Sequence, residues 1–124
     1  MKKFETKAIR TQAERSQNRE HSVPVYMTSS FVFNDAEQMR AVFAKEEDGN
    51  IYSRYSNPSV DEFIEKMCLL EGAEAGFATA TGMSAVFTSI ATFVSQGDHI
   101  LASRAVFGST HQLLTQLFPR WGIS

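Results

Sequence analysis

The chain has 124 residues, of which 43% are hydrophobic and 11% aromatic, enough for a modest single-domain core and too apolar for a disordered or fibrous segment. Its formal net charge of -2, with Lys and Arg scattered, leaves no basic stripe or acidic tail, which argues against nucleic acid or an anionic membrane surface and leaves a small molecule as the expected partner. The lone cysteine, Cys68, cannot close an internal disulfide, and Met1-Lys2-Lys3-Phe4-Glu5-Thr6 turns polar where a signal peptide needs an apolar run, so a cytoplasmic protein is expected.

Residues 1–22 are polar and rich in Gln, Arg and Glu, and are expected to form an arm or a poorly packed helix. Pro24 opens an apolar run over 25–33, where Tyr26, Phe31, Val32 and Phe33 favour a strand without clean alternation, so strand and plain extended segment both stay open. Asn34 with Glu37 resembles a capping pair, and Met39, Val42 and Phe43 follow at helical spacing, predicting a helix over 35–45 that stops at Glu47-Asp48-Gly49-Asn50. Asn57-Pro58 is a cap residue followed by proline at the first helical position. Val60, Phe63, Ile64, Met67 and Leu70 then recur on one face until Gly72 ends the helix.

Residues 75–80 read as a short strand of small side chains, and Thr81-Gly82 opens an apolar helix through Val94. The apolar stretch 85–94 is too short to span a membrane and is broken by Thr88, Ser89 and Thr92. Gly97-Asp98 is a turn and 99–102 a second strand, so strand, helix and strand imply a right-handed parallel crossover in an α/β fold. Ligands of such units gather beyond the carboxyl ends of the strands, here 79–83 and 103–107. A last helix over 109–118 is expected to end at Pro119, with Trp121-Gly122-Ile123 starting a further element.

Three places carry possible chemistry. At Thr81-Gly82-Met83-Ser84 a strand turns into a helix, whose free first-turn N–H groups and positive dipole end suit a phosphate; taken alone, such a glycine is more often a plain turn. Tyr52-Ser53-Arg54-Tyr55-Ser56-Asn57-Pro58 sets an arginine between two tyrosines before a helix. A guanidinium offers paired, permanently charged donors, yet an arginine so placed is usually a solvated residue stacked on a ring. Phe107, after the second strand, could lie flat on a planar cofactor, although phenylalanines at such places are mostly core. His21, His99 and His111 show no metal-ligand spacing, and no metal site is assigned; Cys68 reads as helix interior.

Taken in order, Tyr52-Ser53-Arg54 with Asn57-Pro58-Ser59, Leu70-Glu71-Gly72-Ala73-Glu74, Thr81-Gly82-Met83-Ser84-Ala85, Gly97-Asp98-His99 and Phe107-Gly108-Ser109-Thr110 resemble the Cys/Met-metabolism family of pyridoxal-phosphate enzymes through nearly the whole chain. The resemblance implies an N-terminal arm with a short helix (1–50) and the opening of an aspartate-aminotransferase-like, fold-type-I cofactor domain (51–124), incomplete because members of that family are much longer. It implies that Gly82 and Met83 donate backbone N–H groups to the phosphate of pyridoxal 5'-phosphate in their own subunit. Tyr52 and Arg54 match the pair that reaches the neighbouring subunit's cofactor, so a homo-oligomer with composite sites is implied. Phe107 matches the aromatic that stacks on the pyridine ring, usually tyrosine in lyases and cystathionine synthases; without the hydroxyl, any proton-transfer role of that group does not carry over. Thr81 and Ser84 are smaller departures, where many relatives have serine and alanine.

The family's Schiff-base lysine is expected beyond position 124, since neither Lys45 nor Lys66 lies in a matching motif, so the fragment is expected to be non-catalytic alone. Within the family, Val25-Tyr26-Met27-Thr28-Ser29-Ser30-Phe31 and Val106-Phe107-Gly108-Ser109-Thr110 look most like O-succinylhomoserine sulfhydrylases. These replace the acyl group of an O-acylhomoserine with sulfide to make homocysteine. Cystathionine gamma-synthase or gamma-lyase chemistry, with cysteine as a partner substrate, is the alternative in the same class. A non-catalytic phosphate-binding module is the alternative in another, and the reading frame after Ser124 separates the two.

Overall fold

A computed structural model describes residues 3–10 and 15–124. It contains two compact units, Met1–Phe77 and Ala78–Ser124.

In the first unit, α1 (Phe4–Arg10) carries Glu5 in its first turn, where the helix dipole favours a negative charge. At 7 residues it is too short to persist alone, and it packs on α3 (Pro58–Glu71). The arm expected over 1–22 thus contains a helix; the part of that expectation at 1–2 and 11–14 lies outside the described residues.

The next helix, α2 (Ala36–Phe43), is capped by Asp35, one residue later than the Asn34 pairing expected from sequence. Asp35 Oδ1 accepts from Gln38 N at 2.8 Å, and Gln38 Oε1 reaches back to accept from Asn34 N at 2.8 Å. Both residue types cap helices, but the acceptor-only carboxylate is better matched to the positive helix end. Glu37 is released to brace Arg40, whose guanidinium donates to Glu37 Oε1 and to both carboxylate oxygens of Glu46. Glu46 first and Glu37 second hold that guanidinium above its ordinary pKa. All three side chains are solvated, so the brace ties the end of α2 to its loop with little net stabilisation.

α3 follows the sequence reading to the residue. Asn57 caps it, Pro58 opens it, and Gly72 closes it at φ 67°, a left-handed conformation that glycine adopts without penalty. Its apolar face is less covered than expected. Ile64 and Leu70 are half-buried, while Val60, Phe63 and Met67 stay exposed. After the helix the chain passes over Cys68 and Ile64 so closely that a Cβ on Gly76 would stand 3.0 Å from Cys68 Sγ and 3.2 Å from Ile64 Cγ2.

In the second unit, α4 (Gly82–Ala91) ends three residues short of the expected Val94. The run after Phe107 is continuous but not uniform: α5 (Gly108–Gln112), a π turn (Leu113–Leu117) and a 3-10 turn (Phe118–Trp121). The sequence predicted a stop at Pro119. Proline denies Thr115 its α-helical donor and crowds that carbonyl, so the turn before it widens; the 3-10 turn then accepts proline in its first positions, where no N–H is needed. The core of this unit is aromatic. Phe118 is 1% exposed, stacked on Phe87 with ring centroids 5.9 Å apart, and Trp121 stands edge-on to both.

The two expected strands are a correction. Among the described residues no strand forms over 75–80 or 99–102, and the expected parallel crossover is absent with them. A strand exists only by virtue of a neighbour that takes its N–H and C=O groups, and these two runs exchange no backbone bonds. The second run pairs elsewhere: Ser124 N donates to Asp98 O at 3.0 Å and Ile100 N to Ser124 O at 2.7 Å, the exchange found in a parallel pair. Of the α/β expectation, the described residues therefore realise the helices. No helix among them is long and apolar enough to cross a membrane.

Candidate cofactor-binding site

In the first unit, Tyr52 and Arg54 lie in a turn closed by Tyr55 N donating to Tyr52 O at 2.8 Å. The turn is fastened from behind. Ser53 N donates to Ser29 O at 2.9 Å and Phe31 N to Ile51 O at 3.3 Å, setting Tyr52 opposite Ser30 in an antiparallel bridge. The Ser53 hydroxyl donates to the Thr28 carbonyl, and Asn57 Nδ2 donates to Tyr26 O at 3.1 Å and to Ser53 Oγ at 3.0 Å. The undecided 25–33 run is thus an extended segment that backs this turn.

Arg54 itself faces solvent. Its guanidinium carbon lies 5.2 Å from the Tyr52 ring centroid and 6.0 Å from that of Tyr55, the stacked arrangement that is commonest for such an arginine. It has no ion pair among the described residues, so its donors are available to an anion.

In the second unit, Thr81 caps α4: its Oγ1 accepts from Ser84 N at 3.1 Å and donates to Ser84 Oγ at 3.0 Å. Ala85 N is taken by Thr81 O at 3.1 Å, whereas the N–H groups of Gly82 and Met83 precede the first helical acceptors and remain the helix's open donors. A Cβ built on Gly82 meets nothing within 4 Å, so the space beside this helix end is clear. Met83 also borders a recess of about 300 Å³ that reaches Ser109, Leu113 and Arg120. Phe107 precedes α5 and is 71% exposed, a bare ring rather than the core residue its type suggests. In the second unit, free helix-end donors with open approach and a bare aromatic face fit a phosphate-bearing planar cofactor; in the first, a guanidinium with no ion pair among the described residues suits an anion. Among the described residues, no cluster of three or more His, Cys, Asp and Glu could hold a metal ion.

Residues 5–124 match the model of the family described as Cys/Met metabolism PLP-dependent enzyme. The chain belongs to that family. Over 120 residues it is 48% identical to an O-succinylhomoserine sulfhydrylase of Pseudomonas aeruginosa, an alignment covering 97% of this chain and 30% of the relative. Among solved structures, it superposes with a TM-score of 0.90 and 33% identity on a Campylobacter jejuni protein assigned as O-acetylhomoserine (thiol)-lyase, which carries N'-pyridoxyl-lysine-5'-monophosphate; 98% of this chain and 30% of that one are covered. Cystathionine gamma-lyase from Lactobacillus plantarum, solved with L-serine, gives a TM-score of 0.81 and 31% identity over 99% of this chain and 30% of that one. The chain spans about 30% of the length of the relatives it matches. The expected resemblance is therefore confirmed, and the cofactor of the family is pyridoxal phosphate.

Of the residues singled out from sequence, Tyr52 and Arg54 come together in one turn, and Gly82 and Met83 at one helix start, with Phe107 in the same unit as the latter pair. Missed from sequence was the backing of the Tyr52–Arg54 turn. Asn57 was legible as a cap through its neighbour Pro58, but its bond to Tyr26 crosses 31 positions and has no local signature.

Proposed function

We propose that this chain is the N-terminal part of a pyridoxal-phosphate sulfhydrylase that converts O-succinylhomoserine and sulfide into homocysteine and succinate. In this reading, residues 1–50 are the arm and residues 51–124 open the fold-type-I cofactor domain. The observation that carries it is the 48% identity to the Pseudomonas aeruginosa sulfhydrylase over 97% of the chain. When bound, the cofactor supplies the electron sink for chemistry at the substrate's carbon chain.

The residues of this chain bind and orient. Gly82 and Met83 N–H donate to the phosphate at the positive end of α4, and the open Cα face of Gly82 lets the phosphate approach the backbone. The Ser84 hydroxyl, bridged to its cap by Thr81, adds a donor at the same end. The Phe107 ring covers one face of the pyridine and excludes water from it without contributing a proton. Arg54 and Tyr52 donate to the phosphate held by a neighbouring subunit, so that each site is completed by a second copy. The likeness to a cystathionine gamma-lyase supports elimination as a second reading.

The deciding experiment incubates the full-length enzyme with O-succinylhomoserine and either sulfide, cysteine or no thiol, and separates the products. Homocysteine with sulfide is expected to dominate. Cystathionine as the faster product, or release of a keto acid and ammonia without thiol at a comparable rate, overturns the sulfhydrylase reading.

A further inference from the structure

Asn57 is 5% exposed, and the two ends of its amide serve different structures. Oδ1 accepts from Ser59 N at 2.9 Å, which caps α3. A backbone N–H can only donate, so this bond decides which end of the amide is oxygen and turns Nδ2 to the opposite side. There Nδ2 donates to Tyr26 O and to the hydroxyl of Ser53, the residue before Arg54. Ser53 has committed its own proton to the Thr28 carbonyl, so it can meet Asn57 only as an acceptor. Ser59 Oγ adds a tie by accepting from Tyr26 N at 2.9 Å.

Capping requires an acceptor alone, and Asp or Ser would supply it equally well. The Nδ2 end is superfluous to the helix. What it holds is the turn.

We propose that Asn57 is a positioning residue for Arg54: its Nδ2 locks Ser53 to the extended segment at Tyr26 and Thr28, so that the next residue presents its guanidinium at a fixed reach toward the cofactor phosphate. This rests on the reading of Arg54 as a phosphate ligand. Positional freedom in the loop that carries a long side chain is entropy lost again on binding, so a turn anchored at several points lowers that cost.

The test is a double-mutant cycle on the full-length enzyme, with the dissociation constant of pyridoxal phosphate from the apoenzyme as readout. Asn57→Asp retains the cap oxygen but sets a second oxygen against the Tyr26 carbonyl with no proton between them. It is expected to weaken cofactor binding about tenfold, on the scale of a lost buried hydrogen bond. On an Arg54→Ala background the same change is expected to leave the constant within about twofold, because no guanidinium remains to be placed. Equal weakening in both backgrounds marks a general structural effect and overturns the proposal, as does wild-type affinity in Asn57→Asp while Arg54→Ala binds poorly. If Arg54→Ala binds as the wild type does, the phosphate-ligand reading itself fails and the positioning role with it. Should Asn57→Asp not fold, Ser53→Ala removes the acceptor of the same bond and is held to the same outcomes.

Discussion

Replacement of Arg54 by alanine separates binding from folding, because the structure assigns the two effects different sizes. In the fold Arg54 makes exposed ring contacts at 5.2 and 6.0 Å and no ion pair among the described residues. Contacts of that kind contribute about 0.5–1 kcal/mol at the surface. A charge-assisted contact to a phosphate is worth about 1.5–3 kcal/mol, or roughly ten- to over a hundredfold in affinity. The full-length variant should therefore melt close to the wild type when free of cofactor, lose cofactor on dialysis, and regain much of its activity in excess pyridoxal phosphate. Subunit exchange sharpens the test. Mixing Arg54→Ala subunits with subunits lacking the cofactor-bonding lysine creates hybrids in which one composite site has both wild-type groups and the other has neither. Activity at low cofactor should reappear on mixing. If hybrids form, as shown by exchange of a labelled subunit, and remain as weak as their parents, then Arg54 acts within its own subunit or away from the phosphate, and the assignment of this turn is wrong.

Gly82→Ala adds a methyl group that meets nothing of the protein within 4 Å and relieves a glycine in a helix, so stability should hold or rise by about 0.5–1 kcal/mol while cofactor affinity falls. Thermal melting with and without cofactor checks both halves, and unchanged affinity refutes the close approach of the phosphate. Gly49→Ala acts oppositely: its Cβ would stand 3.0 and 3.1 Å from the methyl carbons of buried Val42, so a loss of about 1–3 kcal/mol is expected in denaturant melts, with cofactor affinity unaffected. Phe118→Ala empties the centre of the aromatic cluster and should cost about 3–5 kcal/mol; a loss below ~1 kcal/mol would mean that the cluster does not carry the core of its unit.

What was legible in the sequence was local. α3 could be read to the residue because its start and stop are written in adjacent positions: an amide cap, a proline that needs no donor, and a glycine free to turn left-handed. α2 was legible in place but its cap was not, since Asn34 and Asp35 are both competent and the choice depended on where the Gln38 side chain could reach. The strands were over-read, because β-branched and aromatic residues such as Phe77, Thr79 and Ile100 record only a preference for extension while pairing depends on a distant segment. Tyr52, Arg54, Gly82, Met83 and Phe107 each look ordinary singly and were found through their order along the chain. The polar brace behind Tyr52 and Arg54 stayed hidden because the bonds that join 24–31 to 51–59 span twenty or more positions.

The placement of the aromatic residues gives each unit its own chromophore. The single tryptophan, Trp121, lies edge-on to Phe87 and Phe118 in the second unit, while all three tyrosines, Tyr26, Tyr52 and Tyr55, belong to the first. Red-edge excitation of the isolated chain thus reports on the Phe118 cluster alone, and tyrosine absorbance on the region around the Arg54 turn. Two melting curves recorded from one cuvette would then show whether the units lose structure together or one after the other, with no label attached to either.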